Sequence, residues 1–364
     1  MFYLFMKIHN FNAGPSILPK EVIRKSAQSV IDFNGSGLSL LEISHRSIDF
    51  LEIIEKTTCL VKQVMNLNDD YAILFLQGGA SLQFSMIPYN LMDQEAAYLD
   101  TGFWAKNAIK EARKFGKVKI LFSGKNQNYT HISKHYQIPC NVDYFHCTSN
   151  NTIVGTQMKI FPKTSVPIVC DMSSDIFSRK LNFCQFSLIY ASAQKNVSSA
   201  GMTIVIIKKN ILGKIKRNIR NIPSYMDYKI HIQNKSILNT PNVFSIYTSM
   251  LTLEWIKNKG GLSVLEKQNQ HKAKLLYNEI DNNNLFENKI HEEDRSDMNV
   301  SFFLKDKKLE KEFNKMWKKE NIVGLEGHRF LGGYRASIYN ALPLESVQFL
   351  IEIMKEFERR HDRK

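Results

Sequence analysis

At 364 residues the chain is too long for one small core, and 43% hydrophobic with 23% charged residues is the composition of a folded globular protein, not a disordered one. No apolar stretch reaches the length of a membrane span, and the apolar residues 1–6 lack the basic flank, long apolar core and small-residue cleavage site of an export signal, so they read as a surface extension. A formal charge of +14 raises nucleic acid as a partner, but the basic residues fall into short scattered runs (208–209, 214–220, 305–308 and 318–319), the pattern of a solvated surface, and none is expected.

Short apolar runs alternate with longer periodic segments, which predicts an α/β fold. Residues 71–76 read as a strand, and Gln77-Gly78-Gly79-Ala80-Ser81 as the turn after it. A helix follows over 82–91, at least as far as Pro88, and the spacing of Ala108, Ile109 and Ala112 predicts another over 105–115. Strands come next at 166–170, 187–190 and 203–207. A longer helix over 244–256 has Pro241 near its start and Gly260-Gly261 just past its end. The texture then changes to a helix at 272–280, a strand at 299–304, a charged helix at 309–320, a strand at 335–339 and a last helix at 344–359. That run predicts a separate α+β unit from about Gly260 onward.

Lys195 carries the clearest chemistry. It sits among small residues, Ser192-Ala193-Gln194-Lys195-Asn196, between two apolar runs, where an amine is held still and partly desolvated. Such a lysine has a lowered pKa and forms Schiff bases. Asp171 ends the preceding apolar run, and an acid beside that amine suits pyridoxal phosphate (PLP): the lysine takes the aldehyde and the aspartate keeps the pyridine nitrogen protonated. The Gly78-Gly79 turn before a helix, with the Ser81 hydroxyl, forms a phosphate cup without the Walker lysine or the GxGxxG spacing of a nucleotide site. Trp104, in the loop opening a helix, offers a plane for stacking on a pyridine ring or simply anchors that loop. His45-Arg46, His328-Arg329 and Arg335 offer guanidinium donors for a doubly anionic substrate.

A rival cluster, His131, His135, Cys140, His146 and Cys147, contains metal-capable residues but matches no zinc spacing, and no metal is expected. The five cysteines, odd in number and without a CxxC pair, fit a cytoplasmic enzyme with reduced thiols.

The chain resembles the class V group of PLP-dependent aminotransferases, with the aspartate-aminotransferase-like fold (fold type I). The likeness runs from Asn10-Phe11-Asn12-Ala13-Gly14-Pro15 to Phe357-Glu358-Arg359-Arg360-His361. Its specific strings are Glu42-Ile43-Ser44-His45-Arg46, Ala191-Ser192-Ala193-Gln194-Lys195, Asn239-Thr240-Pro241, Gly327-His328-Arg329 and the segment 332–341. The resemblance implies a large, mainly parallel-sheet α/β domain over 16–259 that binds PLP, and a smaller α+β domain made of 1–15 and 260–364. It implies that Lys195 binds the cofactor and shuttles a proton, that Asp171 pairs with the pyridine nitrogen and that Trp104 stacks on the ring. Thr152 and Gln194 would bond cofactor oxygens, and Ala80 and Ser81 would donate to its phosphate. Some members carry Gly-Arg where this chain has Ala80-Ser81, so no arginine from that loop meets the phosphate here.

The same resemblance implies a homodimer in which Asn239 and Thr240 complete the partner's cofactor site. Arg335 would clamp the substrate α-carboxylate, and Arg46, His45, His328 and Arg329 would receive the distal anion. The implied reaction passes the amino group of L-glutamate to 3-phosphohydroxypyruvate in two ping-pong halves, with a phosphorylated hydroxythreonine of vitamin B6 synthesis as a further substrate. Two alternatives stand beside it: another class V enzyme, such as a cysteine desulfurase or small-substrate transaminase, and a non-catalytic protein of this fold binding nucleic acid.

Overall fold

The structure is a computed structural model that describes residues 7–213 and 221–361; the extension 1–6 and the basic run 214–220 considered above lie outside the described residues. Strand β1 (His9–Asn10) precedes helices α1 (Lys20–Ile31) and α2 (Ile48–Met65). Strands and helices then alternate: β2 (Tyr71–Leu76), α3 (Gly79–Leu91), β3 (Glu95–Asp100), α4 (Phe103–Ala112), β4 (Lys117–Ser123) and β5 (Phe145–Thr148). Three more strands follow, β6 (Ile168–Asp171), β7 (Leu188–Ser192) and β8 (Thr203–Lys208).

Strands β2 to β8 form one seven-stranded sheet in the order β2-β8-β7-β6-β5-β3-β4. Only β8 runs against its neighbours, antiparallel to β2 and β7. Strands β6, β7 and most of β8 are buried along their length, which is why they are written as unbroken apolar runs rather than as alternating patterns. At the edge, β4 instead exposes Lys117 and Lys119, charges that discourage pairing with another chain.

Beyond the sheet lie α5 (Tyr228–Gln233), α6 (Val243–Asn258) and α7 (Leu262–Asn282). The C-terminal part holds β9 (Phe286–Glu287), β10 (Asn299–Leu304), α8 (Glu310–Lys319), β11 (Ile322–Val323), β12 (Tyr334–Ser337) and α9 (Leu344–His361). Strands β12, β10 and β9 make a small antiparallel sheet, and β1 pairs in parallel with β11.

One apolar core gathers residues between Val22 and Leu265, and another joins Phe11 to side chains from Ala273 to Phe357. Helix α7 serves both, giving Leu262 and Leu265 to the first and Leu276 and Ile280 to the second. Between them, the buried Lys272 reaches out of α7, and its Nζ donates to the carbonyls of Ile338 (2.9 Å), Tyr339 (2.7 Å) and Leu342 (3.2 Å).

Several elements depart from the sequence reading. Helix α3 begins at Gly79, so Ala80 and Ser81 lie in its first turn instead of the loop before it. Helix α4 begins at Phe103, which places Trp104 inside a helix. Helix α7 starts ten residues before the predicted 272, because polar, exposed Lys267, Gln270 and His271 mask its periodicity.

Candidate active site

Strands β6 and β7 are parallel neighbours, so their C-terminal ends, Asp171 and Ser192, open on the same sheet edge. That edge is where open α/β sheets bind ligands. Lys195 follows in the turn after β7. The first turns of α3 and α4 reach the same edge with Ala80, Ser81 and Trp104. A cavity of about 130 Å³ results, and seven residues expected at a cofactor line it together: Ala80, Ser81, Trp104, Thr152, Asp171, Gln194 and Lys195.

The turn ahead of α3 depends on glycine. Gly78 has φ +89°, and a Cβ there would fall 2.5 Å from Leu82 Cδ2. Gly14 packs against the lysine itself, where an added Cβ would sit 3.3 Å from Lys195 Cγ. Ser16 fixes the lysine turn from the same segment, its N–H donating to Gln194 O (3.0 Å) and its hydroxyl to Lys195 O.

Lys195 Nζ donates to Thr152 Oγ1 at 2.7 Å. Burial pulls this amine down to about 8; Asp171 and Asp175 oppose that shift and Arg335 adds to it. Asp171 is buried, and burial raises its pKa against the hydrogen bonds of Ser173 and the charge of Lys195. The Ser173 N–H (2.9 Å) and hydroxyl (2.6 Å) both donate to Oδ1, and no described residue donates to Oδ2. Thr148 also lines the cavity, and its buried Oγ1 has no partner among the described residues. An amine, an acid with a spare oxygen and an unsatisfied hydroxyl around one ring-sized space fit PLP. These are the groups its aldehyde, its pyridine nitrogen and its polar ring substituents require.

Arg335, on β12, approaches from the second core. Its Nη1 donates to Thr152 O (3.2 Å), so a single threonine contacts both the lysine and the arginine. Its buried Nε has no partner, and burial lowers its pKa. A guanidinium with a spare desolvated donor is suited to a carboxylate. His328 lies close enough to feel Arg335 and Arg329; burial, then those two charges, lowers its pKa. Its ring tilts against Phe103 at 5.9 Å, while Arg329 covers the Phe330 ring at 4.9 Å.

Four other expected residues stand apart from this cavity within one chain. Asn239 and Thr240 are exposed and joined to Gln77, through Asn239 Nδ2 to Gln77 Oε1 (3.1 Å) and Gln77 Nε2 to Thr240 O (3.2 Å). Arg46 is exposed, and His45 has a buried Nε2 without a partner. Ala80, expected to donate to a phosphate, sits in the first turn of α3. Its N–H donates to Ser192 Oγ at 2.8 Å, because the end of β7 abuts the start of α3.

Ser173, Ser192, Thr148 and Asn150 line the cavity and were not singled out from the sequence as site residues. Short hydroxyl and amide residues carry no periodicity to flag them; the one available signal was their position next to Asp171 and Lys195. The supposed metal cluster is dispersed. His131 Nδ1 meets Asp294 Oδ2 at 2.7 Å beside Glu293, two acids that Lys134 also pairs with, whereas His146 bonds Tyr190 OH at 2.9 Å inside the sheet. None of the five cysteines lines the cavity.

The fold and this cavity define a PLP-dependent aminotransferase. The family description Aminotransferase class-V matches residues 8–350, and the chain belongs to that family. It is 58% identical to the phosphoserine aminotransferase of Flavobacterium psychrophilum over 358 residues, which is 98% of this chain and 100% of that relative. Among solved structures, phosphoserine aminotransferase from Bacillus circulans subsp. alkalophilus superposes with a TM-score of 0.94 at 40% identity, covering 98% of this chain and 99% of that one. PLP-bound phosphoserine aminotransferase from Trichomonas vaginalis superposes with a TM-score of 0.88 at 34% identity, covering 96% and 100%.

Proposed function

We propose that this aminotransferase passes the amino group of L-glutamate to 3-phosphohydroxypyruvate, giving O-phospho-L-serine and 2-oxoglutarate for serine biosynthesis. A phosphorylated hydroxythreonine, on the route to vitamin B6, is a second substrate of the same site. The observation that carries the reading is the Arg335–Thr152–Lys195 chain: a carboxylate-seeking guanidinium with an unused buried Nε lies one residue away from the amine. The names of full-length relatives support the substrate pair.

Pyridoxal phosphate, when bound, supplies an electron-poor ring that lets the Cα–H bond of an amino acid ionise. Lys195 Nζ takes the proton from the substrate Cα and returns it, a task suited to an amine lowered to about 8. Thr152 Oγ1 orients that amine at 2.7 Å. Asp171, fixed on one oxygen by Ser173, keeps its other oxygen free to pair with the ring nitrogen and would favour its protonated form. Arg335 binds the α-carboxylate. His45, Arg46, His328 and Arg329 receive the distal anion, which is a phosphate in one half-reaction and the γ-carboxylate of glutamate in the other.

The chain works as a homodimer in the cytoplasm. Support comes from the exposed apolar side chains Ile31, Leu38, Leu41 and Ile48, close to His45-Arg46 in the sequence and 75%, 50%, 62% and 73% accessible, which a second copy would cover. Exposed Asn239 and Thr240 would then face the partner's cofactor, and the free thiols suit a reducing compartment. A glutamate-dependent assay offering both phosphorylated acceptors side by side tests the reading. Turnover of both is expected. Rapid turnover of unphosphorylated pyruvate or glyoxylate with neither phosphorylated acceptor used would overturn it.

A further inference from the structure

Between β11 and β12 the chain forms a turn that is pinched at its base. The Gly327 N–H donates to Gly333 O at 2.9 Å, and a Cβ on Gly327 would run into Gly332 O, so only glycine lets the two backbones meet. At the tip, the N–H groups of Leu331 (2.8 Å) and Gly332 (2.9 Å) both donate to His328 O. His328, Arg329 and Phe330 therefore stand together on one short, hydrogen-bonded turn.

Phe330 is exposed, yet its ring has specific partners. It stacks on Phe103 with centroids 5.6 Å apart and planes 28° from parallel, and the Arg329 guanidinium lies over it at 4.9 Å. The His328 ring tilts against the same two phenyls, 5.1 Å from Phe330 and 5.9 Å from Phe103. Phe103 in turn opens α4 and meets edge-on, at 5.1 Å, the Trp104 that lines the cavity. Among the described residues Arg329 has no ion-pair partner, so a ring face holds its guanidinium where a carboxylate would neutralise it.

We propose that Phe330 is a positioning residue that confers selectivity for phosphorylated acceptors: stacked on Phe103, it presents Arg329 and His328 to the distal anion with their donors and charge unspent. The inference rests on the reading of those two residues as the distal-anion site. A free arginine side chain loses much rotamer freedom when it grips an anion, and that loss is subtracted from the binding energy. A guanidinium already laid on a ring has met part of that cost beforehand. The gain reaches only substrates that carry a distal anion.

The test compares 3-phosphohydroxypyruvate with hydroxypyruvate, the same acceptor without its phosphate, at saturating L-glutamate. Steady-state kinetics give KM and kcat for the wild type, Phe330→Ala, Phe330→Leu and Phe330→Tyr. Phe330→Ala is expected to raise KM for the phosphorylated acceptor about fivefold with kcat less affected, the size of a lost cation–π contact and ring stack, and to leave kcat/KM for hydroxypyruvate unchanged. Phe330→Tyr, which keeps the ring, is expected to behave as the wild type. Phe330→Leu keeps apolar bulk without a π face and is expected to behave as Phe330→Ala. An equal loss on both acceptors, no loss on the phosphorylated one, or full rescue by leucine would overturn the assignment. A wild-type enzyme that used hydroxypyruvate as readily as its phosphate ester would overturn the distal-anion reading itself, and this assignment with it.

Discussion

At Lys195, burial competes with the charge of Asp171, and burial wins: the amine falls to about 8, where an exposed lysine titrates near ~10.4. Its free base therefore forms at lower pH than that of an ordinary exposed lysine side chain. Uptake of PLP by cofactor-stripped protein should accelerate as pH rises through about 8 and then level off, measurable by the growth of visible absorption. A rate that kept climbing into the ordinary lysine range would mean the amine is not desolvated. The same shift sets a stability window. The folded pKa is lowered, so the unfolded chain binds more protons between the two values, and stripped protein gains stability as pH rises across that interval. Arg335→Lys exchanges a fork for a point charge, and KM for both amino-group donor and acceptor should rise about tenfold with kcat less affected. A loss confined to one substrate would place the α-carboxylate elsewhere. Lys195 and Asp171 were legible in the sequence because a charge at the end of an apolar run has no packing role. Thr148, Ser173 and Ser192 were not, since buried hydroxyls serve loops, caps and strands everywhere and only three-dimensional proximity distinguishes them.

Helix α7 is the element that ties the substrate-binding β12 to the rest of the chain. Lys272 holds three carbonyls that follow β12; a side chain without a donor in its place would strip the Ile338 and Leu342 carbonyls of this partner and leave Tyr339 O with the Leu342 N–H alone. Lys272→Met should lower unfolding stability by roughly 2–4 kcal/mol in a denaturant titration, because each unmet buried acceptor costs free energy. A change within about 0.5 kcal/mol, the range of an ordinary surface substitution, would refute the clamp. Strands β6, β7 and β8 were readable as buried apolar runs, and α9 by its periodic Val347, Leu350, Met354 and Phe357. Strands β3, β4 and β5 escaped for separate reasons. Two alanines weaken the β signal of β3, lysines interrupt the edge strand β4, and β5 is four residues long with His146 and Thr148 among them. Helices α1 and α2 escaped because exposed apolar residues, Ile23 and Ile31 on the first and Ile48 and Leu51 on the second, blur their periodicity.

For the molecule as a whole, we propose a division at Gly260-Gly261, with 16–259 forming the PLP-binding unit and 1–15 joined to 260–364; the separate apolar cores and the β1–β11 pairing support it. The +14 charge, counted with histidine neutral, exceeds what the site's arginines explain. The proposed dimer has a direct consequence. Lys195→Ala and Thr240→Ala protomers damage different halves of a shared site, so mixing the two inactive proteins should restore about a quarter of wild-type activity through hybrid dimers. No recovery after mixing would mean each site is built from one chain. The central claim is the tether between Lys195 and PLP, and its most direct measurement is borohydride reduction of the purified enzyme followed by peptide mass mapping. The expected result is phosphopyridoxyl mass on the peptide containing Lys195 and on no other. Label on a different lysine, or on none from a protein that is nonetheless active, would contradict it.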